Sequence, residues 1–194
     1  KKSMLAKDKV KFKEALKKIN IDTPQFLSYK DKNVEIKEID KFIGIPCVIK
    51  SALDAIQPQK ANNYDELCDA INKVRETNTE LLVEEYIRGN DCTVAVRNNG
   101  IISEALGVTY YSKAKEYKLK GFEEAYSSRT TPGVEEKLCT IAKEIVEKLG
   151  FIGLVRIDFI IDQNIYVLEL NSVIVTGYHG SAYPFFKAQG IDIP

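Results

Sequence analysis

The sequence predicts an α+β fold, because helical patterns and strand patterns occupy separate blocks of the chain. Amphipathic helices are predicted over residues 7–19, 64–75 and 134–149, where apolar side chains recur every three or four positions. Between them lie short runs rich in Ile, Val, Leu, Phe and Tyr, some joined by turn residues, which predict antiparallel hairpins. We therefore expect two α+β lobes, residues 1–80 and residues 81–194.

Length and charge exclude several classes of protein. The chain has 194 residues, enough for one large domain or two small ones, and its 28 basic residues balance its 28 acidic residues. Such a balance gives no field that favours nucleic acid or an anionic membrane. Because no apolar run could span a bilayer and no secretory signal opens the chain, we expect a cytoplasmic protein without nucleic-acid or membrane partners.

The four cysteines are far apart and lack the spacing of a metal site. Cys47, Cys68, Cys92 and Cys139 each lie in an apolar or mixed segment. In a reducing compartment this pattern predicts buried free thiols and no disulfide framework.

The first lobe is predicted to contain two strands and two helices. After the helix at residues 7–19, short strands are predicted at residues 26–29 and 42–50, the second of which leaves a Pro turn and ends in Lys50. A polar loop over residues 51–63 leads to the helix at residues 64–75.

The second lobe is predicted to be rich in hairpins. A strand at residues 81–87 is followed by strands at 92–97 and 101–108, joined by the turn signal Asn98-Asn99-Gly100. Residues 109–133 show no clear period and are predicted to form a long loop. The helix at residues 134–149 is predicted to end at Gly150.

A last hairpin carries the chemistry-bearing residues. Its strands, residues 154–161 and 165–170, are separated by the polar triplet Asp162-Gln163-Asn164. With Gln163 and Asn164 as a two-residue loop, Asp162 pairs with Ile165. The predicted core face is then Val155, Ile157, Phe159 and Ile161 against Tyr166, Leu168 and Leu170.

The same register gathers four polar side chains on the other face. Asp158 falls opposite Glu169, and Arg156 falls opposite Asn171. Directly opposed carboxylates repel, so we expect a bridging cation, and carboxylate and amide oxygens suit Mg²⁺. An Arg on that face suits a transferring phosphoryl group. The alternative is an Arg–Asp surface pair with Glu169 simply solvated.

The segments RIDF and LELN resemble the R-x-D-[FV] and E-x-N strands of the D-alanine–D-alanine ligase branch of the ATP-grasp family. The resemblance extends over nearly the whole chain and implies an ATP-grasp fold with a nucleotide cleft between its lobes. It implies that Asp158, Glu169 and Asn171 hold Mg²⁺. It also implies that Arg156 stabilises the transferred phosphoryl group and the tetrahedral intermediate.

The segment LLVEEYIRGND is similar to the strand and hinge by which this family holds the nucleoside. By that resemblance Glu84 takes the adenine amino group, while the backbone of Glu85 and Ile87, on either side of Tyr86, frames the adenine edge. Asp91 stands where the family has a Glu on the ribose hydroxyls. Without the resemblance, the segment reads as a plain strand end.

Three lysines resemble phosphate ligands of the family. Lys9 lies in the first helix, Lys50 ends FIGIPCVIK, and Lys115 lies in YYSKAKEYK, which is similar to a Tyr-x-Ala-Lys-Tyr loop segment whose Lys contacts the terminal phosphate. Each is also one lysine among many, and the alternative for Lys115 is a solvated basic face.

Two segments depart from the family pattern. The loop from Ser51 to Lys60 contains no Gly and carries Pro58, although the family uses a Gly- and Ser-rich loop whose N–H groups wrap phosphates. The pair Ile174-Val175 replaces a Pro-Gly step. The chain also begins where the central domain of the family begins, and we expect that two copies could pair through an N-terminal domain.

These observations predict a ligase that depends on ATP and Mg²⁺. ATP would phosphorylate a carboxylate, and an amine would attack the acylphosphate to form an amide or peptide bond, with D-alanine as both substrates. Ligases of carbamoyl-phosphate-synthetase type remain an alternative. A nucleotide-binding module without turnover is another, and the Gly-free loop is the observation that supports it.

Overall fold

The α+β prediction is confirmed. The computed structural model describes residues 2–31, 33–110 and 133–172, with side chains from residue 4. The helices are α1 (Lys2–Lys7), α2 (Lys9–Lys18), α3 (Ile36–Phe42), α4 (Tyr64–Arg75) and α5 (Val134–Leu149). The strands are β1 (Phe26–Tyr29), β2 (Cys47–Ser51), β3 (Gln59–Ala61), β4 (Leu81–Glu85), β5 (Asn90–Asn98), β6 (Ser103–Tyr110), β7 (Gly153–Ile161) and β8 (Ile165–Asn171).

The strands form two four-stranded antiparallel sheets. The first has the order β1-β4-β2-β3 and the second the order β6-β5-β7-β8. Since β4 pairs with both β1 and β2, the first sheet extends to Glu85, past the expected lobe boundary at residue 80. The division into residues 1–80 and 81–194 stays a prediction.

Helices α3 and α4 cover one face of the first sheet. Helix α4 begins at an Asn63 cap, whose side chain accepts a hydrogen bond from the backbone of Glu66, and it buries one apolar stripe. Burial of that stripe against the sheet holds the layers together. The core consists of Ile39, Cys47, Ile49, Ala61, Leu67, Ala70, Ile71, Val74, Leu81 and Val83.

Helix α5 covers the second sheet. It ends at Gly150, whose φ of 68° is the left-handed conformation that a C-terminal glycine supplies. Together with part of α2 it buries the inward side chains of the sheet. The core consists of Phe12, Leu16, Cys92, Val94, Val96, Tyr110, Leu138, Ala142, Ile145, Val146, Phe151, Val155, Ile157, Phe159, Val167 and Leu170.

Helix α2 bridges the two sheets. Asp8 caps it by accepting a hydrogen bond from the backbone of Lys11. Val10 packs on the first sheet, whereas Phe12 and Leu16 belong to the core of the second. Two lysines four residues apart on this helix, Lys9 and Lys13, are both buried, so the helix brings positive charge between the sheets.

The connection from β4 to β5 requires a glycine at residue 89. A Cβ atom on Gly89 would lie 2.5 Å from the backbone oxygen of Ile161 and 2.7 Å from the side chain of Ile160. Only glycine allows the chain to pass this close to β7 as it crosses from one sheet to the other.

Some sequence-based bounds are wrong. Residues 36–42 form a helix, so β2 begins at Cys47 rather than at residue 42, and β3 lies within the predicted loop because it pairs with β2. All four cysteines are free as expected, but Cys68 is exposed because it lies on the outer face of α4. Within the described ranges, no helix combines the length and apolarity needed to cross a lipid bilayer.

Candidate functional site

The hairpin of β7 and β8 has the predicted register at the polar residues and a different one at the turn. Asp158 lies opposite Glu169 and Arg156 opposite Asn171, as expected. At the turn, however, Ile161 pairs with Ile165, because the side chain of Asp162 accepts a hydrogen bond from the backbone of Asn164 and closes a three-residue turn.

A β-bulge between the turn and the site restores the register. Phe159 pairs with Val167 while Asp158 pairs with Glu169, so Leu168 is the extra residue. The predicted core face was therefore wrong on β8. Val167 is buried and packed in the core, in place of Tyr166 and Leu168.

Hydrogen bonds join the four polar side chains into one cluster. Arg156 Nη2 donates to Asp158 Oδ2 at 2.9 Å. The amide nitrogen of Asn171 donates to Asp158 Oδ2 at 3.2 Å and to Glu169 Oε1 at 3.3 Å. The two carboxylates are thus held next to each other by donors on the same face, rather than being left to repel.

Lys9 adds a second cation to this cluster from α2. Its Nζ lies 2.9 Å from Glu169 Oε2 and 2.6 Å from Asp54 Oδ1, with only 8% of the side chain exposed. Its backbone N–H donates to the carbonyl of Ala52. Burial lowers the pKa of Lys9, but Glu169 and Asp54 outweigh it and leave that pKa raised. Lys9 therefore stays charged and links β8 to the loop after β2.

The pKa values of the two carboxylates are shifted in opposite directions. Burial is the largest influence on both and raises each pKa. For Asp158, Arg156 offsets this only in part and Glu169 adds to it, so the pKa of Asp158 is raised. For Glu169, Lys9 outweighs the burial and lowers the pKa to about 2. The protein's own cations therefore favour charge on Glu169 more than on Asp158.

The donor set of this cluster fits a hard cation with few protein ligands. Oxygen Oδ1 of Asp158 is buried, and the hydrogen bonds from Arg156 and Asn171 both go to the other oxygen, Oδ2. In the described ranges no group of three or more His, Cys, Asp and Glu side chains could hold a metal ion. This cluster offers two carboxylates and the Asn171 amide. A half-turn of that amide would present its oxygen. Mg²⁺ completes such a shell with phosphate and water oxygens.

A second ionic cluster lies on the first sheet, on the side that faces α2. Lys50 at the end of β2 and Glu84 on β4 pair at 2.8 Å, and the second oxygen of Glu84 lies 3.3 Å from Nζ of Lys13. Glu84 is 2% exposed. Burial raises the pKa of Glu84, but Lys13 and Lys50 outweigh it and leave that pKa lowered.

Sequence reasoning missed Lys13. The signal was available, because Lys13 follows Lys9 by four residues and must share its face of the helix. Its burial was not predicted, because a lysine among many lysines on a helix is usually exposed to solvent.

The predicted nucleoside segment lies at the end of β4 and the start of β5. The N–H of Glu85 donates to the carbonyl of Gln25, and the side chain of Glu85 accepts a hydrogen bond from the N–H of Gln25, so the N–H of Glu85 is already bonded within the protein. The ammonium of Lys60 lies 3.9 Å from the centre of the Tyr86 ring, a cation–π contact. Ile87 is half-buried, and Asp91 lies in β5 opposite Ile160.

The loop after β2 is held at several points. Ser51 Oγ accepts a hydrogen bond from the backbone of Ala55 at 2.6 Å, and Asp54, with φ of 57°, turns towards Lys9. The loop therefore carries a carboxylate where a Gly-rich loop would offer backbone N–H groups. Lys115 and the pair Ile174-Val175 lie outside the described residues.

Comparisons with known proteins agree on one family. The sequence profile described as "D-ala D-ala ligase C-terminus" matches residues 16–193. D-alanine–D-alanine ligase of Carboxydothermus hydrogenoformans is 31% identical over 187 residues, which cover 88% of this chain and 60% of the relative. The ligase of a Marinomonas species is 31% identical over 202 residues, which cover 97% of this chain and 62% of the relative. The chain thus spans about 60% of the length of these relatives.

Solved structures show the same fold. D-alanine–D-alanine ligase from Bacillus anthracis, complexed with ATP, superimposes with a TM-score of 0.82 at 20% identity, covering 97% of this chain and 63% of that one. The ligase from Coxiella burnetii gives a TM-score of 0.80 at 18% identity, covering 97% of this chain and 54% of that one. The prediction of an ATP-grasp fold is confirmed.

The pairing of Glu169 with Lys9 reverses a simple expectation about stability. If repulsion from Asp158 dominated, Glu169→Gln would stabilise the protein. Because Lys9 holds the pKa of Glu169 at about 2, below its ordinary 4.5, we expect the substitution to lower the free energy of unfolding instead. The loss should be about 1 to 2 kcal/mol at pH 7, measured by urea unfolding in the presence of a chelator.

The pH dependence of this loss gives its signature. A depressed carboxylate pKa stabilises the folded state above the unfolded value, so the difference between the native protein and Glu169→Gln should shrink as pH falls from 4.5 towards 2. Glu104→Gln is the control, because the Arg97–Glu104 pair is exposed, and should change stability by less than about 0.5 kcal/mol. Equal or greater stability of Glu169→Gln at pH 7 would mean that repulsion dominates.

Proposed function

This chain belongs to the D-ala D-ala ligase C-terminus family, and on that premise we propose that it carries the nucleotide site of an ATP- and Mg²⁺-dependent carboxylate–amine ligase. The observation that carries the proposal is the meeting of two ionic clusters across α2. Of the two opposed carboxylates on β7 and β8, Glu169 pairs with Lys9, while Lys50 projects from the first sheet. A metal-bound polyphosphate needs this combination of carboxylates and cations.

The metal would be held by Asp158, Glu169 and Asn171. The buried Oδ1 of Asp158, to which neither Arg156 nor Asn171 donates, supports this assignment, as does the concentration of oxygen ligands on one face. Bound there, Mg²⁺ would supply charge neutralisation for the phosphates and relieve the repulsion between the carboxylates.

Three cations would contact the phosphates. Lys9 and Lys50 lie at the edges of the two clusters and would exchange a carboxylate partner for a phosphate oxygen. Arg156 Nη2 lies on the same face as Asp158 and would stabilise the transferred phosphoryl group and the tetrahedral intermediate. Lys115 remains a candidate for the terminal phosphate on sequence grounds.

The nucleoside would lie against the hinge from β4 to β5. The carbonyl of Glu85 and the backbone of Ile87 would frame the adenine edge, with Tyr86 between them and Asp91 near the ribose. We revise the role of Glu84, since both its oxygens face lysines and the residue is 2% exposed. Its contribution is to hold those lysines rather than to accept the adenine amino group.

The reaction would proceed in two balanced steps. A carboxylate oxygen of the first substrate forms a bond to the γ-phosphorus as the bond to the β–γ bridging oxygen breaks, which releases ADP. The amine of the second substrate then attacks the acyl carbon, phosphate leaves and the amine nitrogen loses a proton. The names of the relatives support D-alanine as both substrates. Pairing of two copies and a cytoplasmic location stay predictions.

The function is tested by D-alanine-dependent release of phosphate from ATP in the presence of Mg²⁺. It should be measured with this chain and with the complete gene product. We expect Asp158→Asn to lower kcat by roughly 100-fold or more, because a ligand of the metal loses its charge.

The matched control is Asp162→Asn, in the exposed turn of the same hairpin, where an asparagine keeps the turn hydrogen bond. It should turn over like the native protein. Nucleotide binding without D-alanine-dependent turnover in the complete gene product would favour a binding module. Absence of both would contradict the proposed site.

The carboxylate of Asp54 should weaken nucleotide binding, compared with a Gly-rich loop that carries no carboxylate at this place. Because Asp54 pairs with Lys9, it competes with a phosphate for that lysine. We expect Asp54→Asn to tighten binding of a non-hydrolysable ATP analogue by about three- to fivefold, measured by calorimetry. This is the size of effect expected from an ion pair whose carboxylate is largely exposed.

Asp69→Asn is the control, since Asp69 is exposed on α4 of the same lobe and the charge change is identical. It should leave affinity within twofold. If Asp54→Asn binds no more tightly than Asp69→Asn, the loop carboxylate does not compete for Lys9.

A further inference from the structure

The ammonium group of Lys13 is a charge without access to solvent. The residue is 0% exposed, and burial lowers its pKa to about 8 despite the opposing influence of Glu84. A lysine in such a place is costly unless its partners are well arranged, so each of its contacts bears on why it is there.

Its contacts are all internal. Nζ lies 2.6 Å from Thr23 Oγ1, 3.3 Å from Glu84 Oε1 and 5.7 Å from the centre of the Phe26 ring. Since no part of the side chain reaches the solvent, Lys13 has no surface with which to touch a nucleotide. Any effect on ligand binding must pass through these neighbours.

Glu84 connects Lys13 to Lys50. Glu84 shares its two oxygens between Lys13 and Lys50, at 3.3 Å and 2.8 Å. Two ammonium groups and one carboxylate leave one net positive charge. Of the three side chains, Lys50 is the most exposed, at 11%, so this charge is presented to the cleft there. Without Lys13, Glu84 would neutralise Lys50 completely.

Thr23 connects Lys13 to β8 by hydrogen bonds. The hydroxyl of Thr23 donates to the carbonyl of Val167 at 2.8 Å, and the N–H of Val167 donates to the carbonyl of Asp22 at 2.9 Å. Val167 adjoins the bulge at Leu168, which sets Glu169 opposite Asp158. The hydroxyl that holds Lys13 is therefore itself fixed on β8, the strand that carries Glu169 and Asn171.

We propose that Lys13 is a positioning residue of the nucleotide site: held in place by Thr23, it shares Glu84 and so keeps Lys50 available for a phosphate. This inference rests on the proposed function for its ligand. Its two parts, the ionic coupling and the effect on affinity, are separable by experiment.

The ionic coupling is tested without any nucleotide by a double-mutant cycle in urea unfolding at pH 7. Glu84→Gln in the native protein leaves two buried ammonium groups without a counter-charge, whereas in the Lys13→Met background it leaves one. We expect the unfolding equilibrium constant to rise at least tenfold more in the native background. If Glu84→Gln alone does not fold, folding of the double variant gives the same answer. An equal cost in both backgrounds would overturn the coupling.

The effect on affinity is tested by calorimetry with Mg²⁺ and a non-hydrolysable ATP analogue. Lys13→Met should weaken binding about tenfold, because the net charge at Lys50 is lost. Adding Glu84→Gln should restore affinity to within about threefold of the native value, since Lys50 is again uncompensated. A residue that only packs would show no such rescue.

Lys18→Met is the matched control, because it removes the same charge from an exposed position of the same helix. It should change affinity by less than twofold. Native affinity in Lys13→Met, or weak binding that Glu84→Gln leaves unrepaired, would overturn the proposal. If the native protein binds no analogue, the proposed function fails, and the unfolding cycle alone decides whether Lys13 and Glu84 are coupled.

Discussion

Two carboxylates face each other across one pair of strands, and the helix and loop around them supply the charges and donors that offset their repulsion. Asp158 and Glu169 lie directly opposite each other on β7 and β8, where like charges weaken the pairing. The fold compensates with donors from the same face and with Lys9 from α2. The hairpin, the helix and the loop after β2 are therefore joined by charge as well as by apolar packing.

Helix α2 makes this arrangement possible because it belongs to both cores. Its apolar side chains pack on the two sheets, and its lysines at positions 9 and 13 reach the two ionic clusters. A short helix with this pattern would have little stability alone, so it is the tertiary packing that fixes where its charges point. The same helical periodicity thus places the apolar side chains of α2 in the cores and its two lysines in the ionic clusters.

Much of the fold was predictable from periodicity. The bounds of α4, α5 and β1 follow directly from their apolar patterns and turn residues, and the pairing of Asp158 with Glu169 follows from alternation along the strands. The predicted two-residue turn was wrong, because the side chain of Asp162 accepts a hydrogen bond from the backbone of Asn164 and the loop has one residue more. The bulge at Leu168 cancels that error before the site, and no periodic pattern announces such a bulge.

The pairing of each lysine with its carboxylate could not be predicted from the sequence, since it depends on contacts between distant segments. Lys9 and Glu169 are 160 residues apart, and Lys50 and Glu84 are 34 apart. Glu84 and Lys13 resemble ordinary surface residues in the sequence, yet both are buried. The resemblance to the ATP-grasp family predicts many of the candidate positions, but it does not predict which lysine each carboxylate holds.

We propose that the cluster on β7 and β8 holds a divalent cation together with a nucleotide. Electron paramagnetic resonance of Mn²⁺, as a substitute for Mg²⁺, tests this when Mn²⁺ is titrated with the protein and a non-hydrolysable ATP analogue. We expect the native protein to remove Mn²⁺ from solution in a ternary complex and Asp158→Asn to bind it far more weakly, whereas Asp162→Asn should behave as the native protein does. Equal depletion of free Mn²⁺ by the native protein and Asp158→Asn would show that the cluster does not hold the metal.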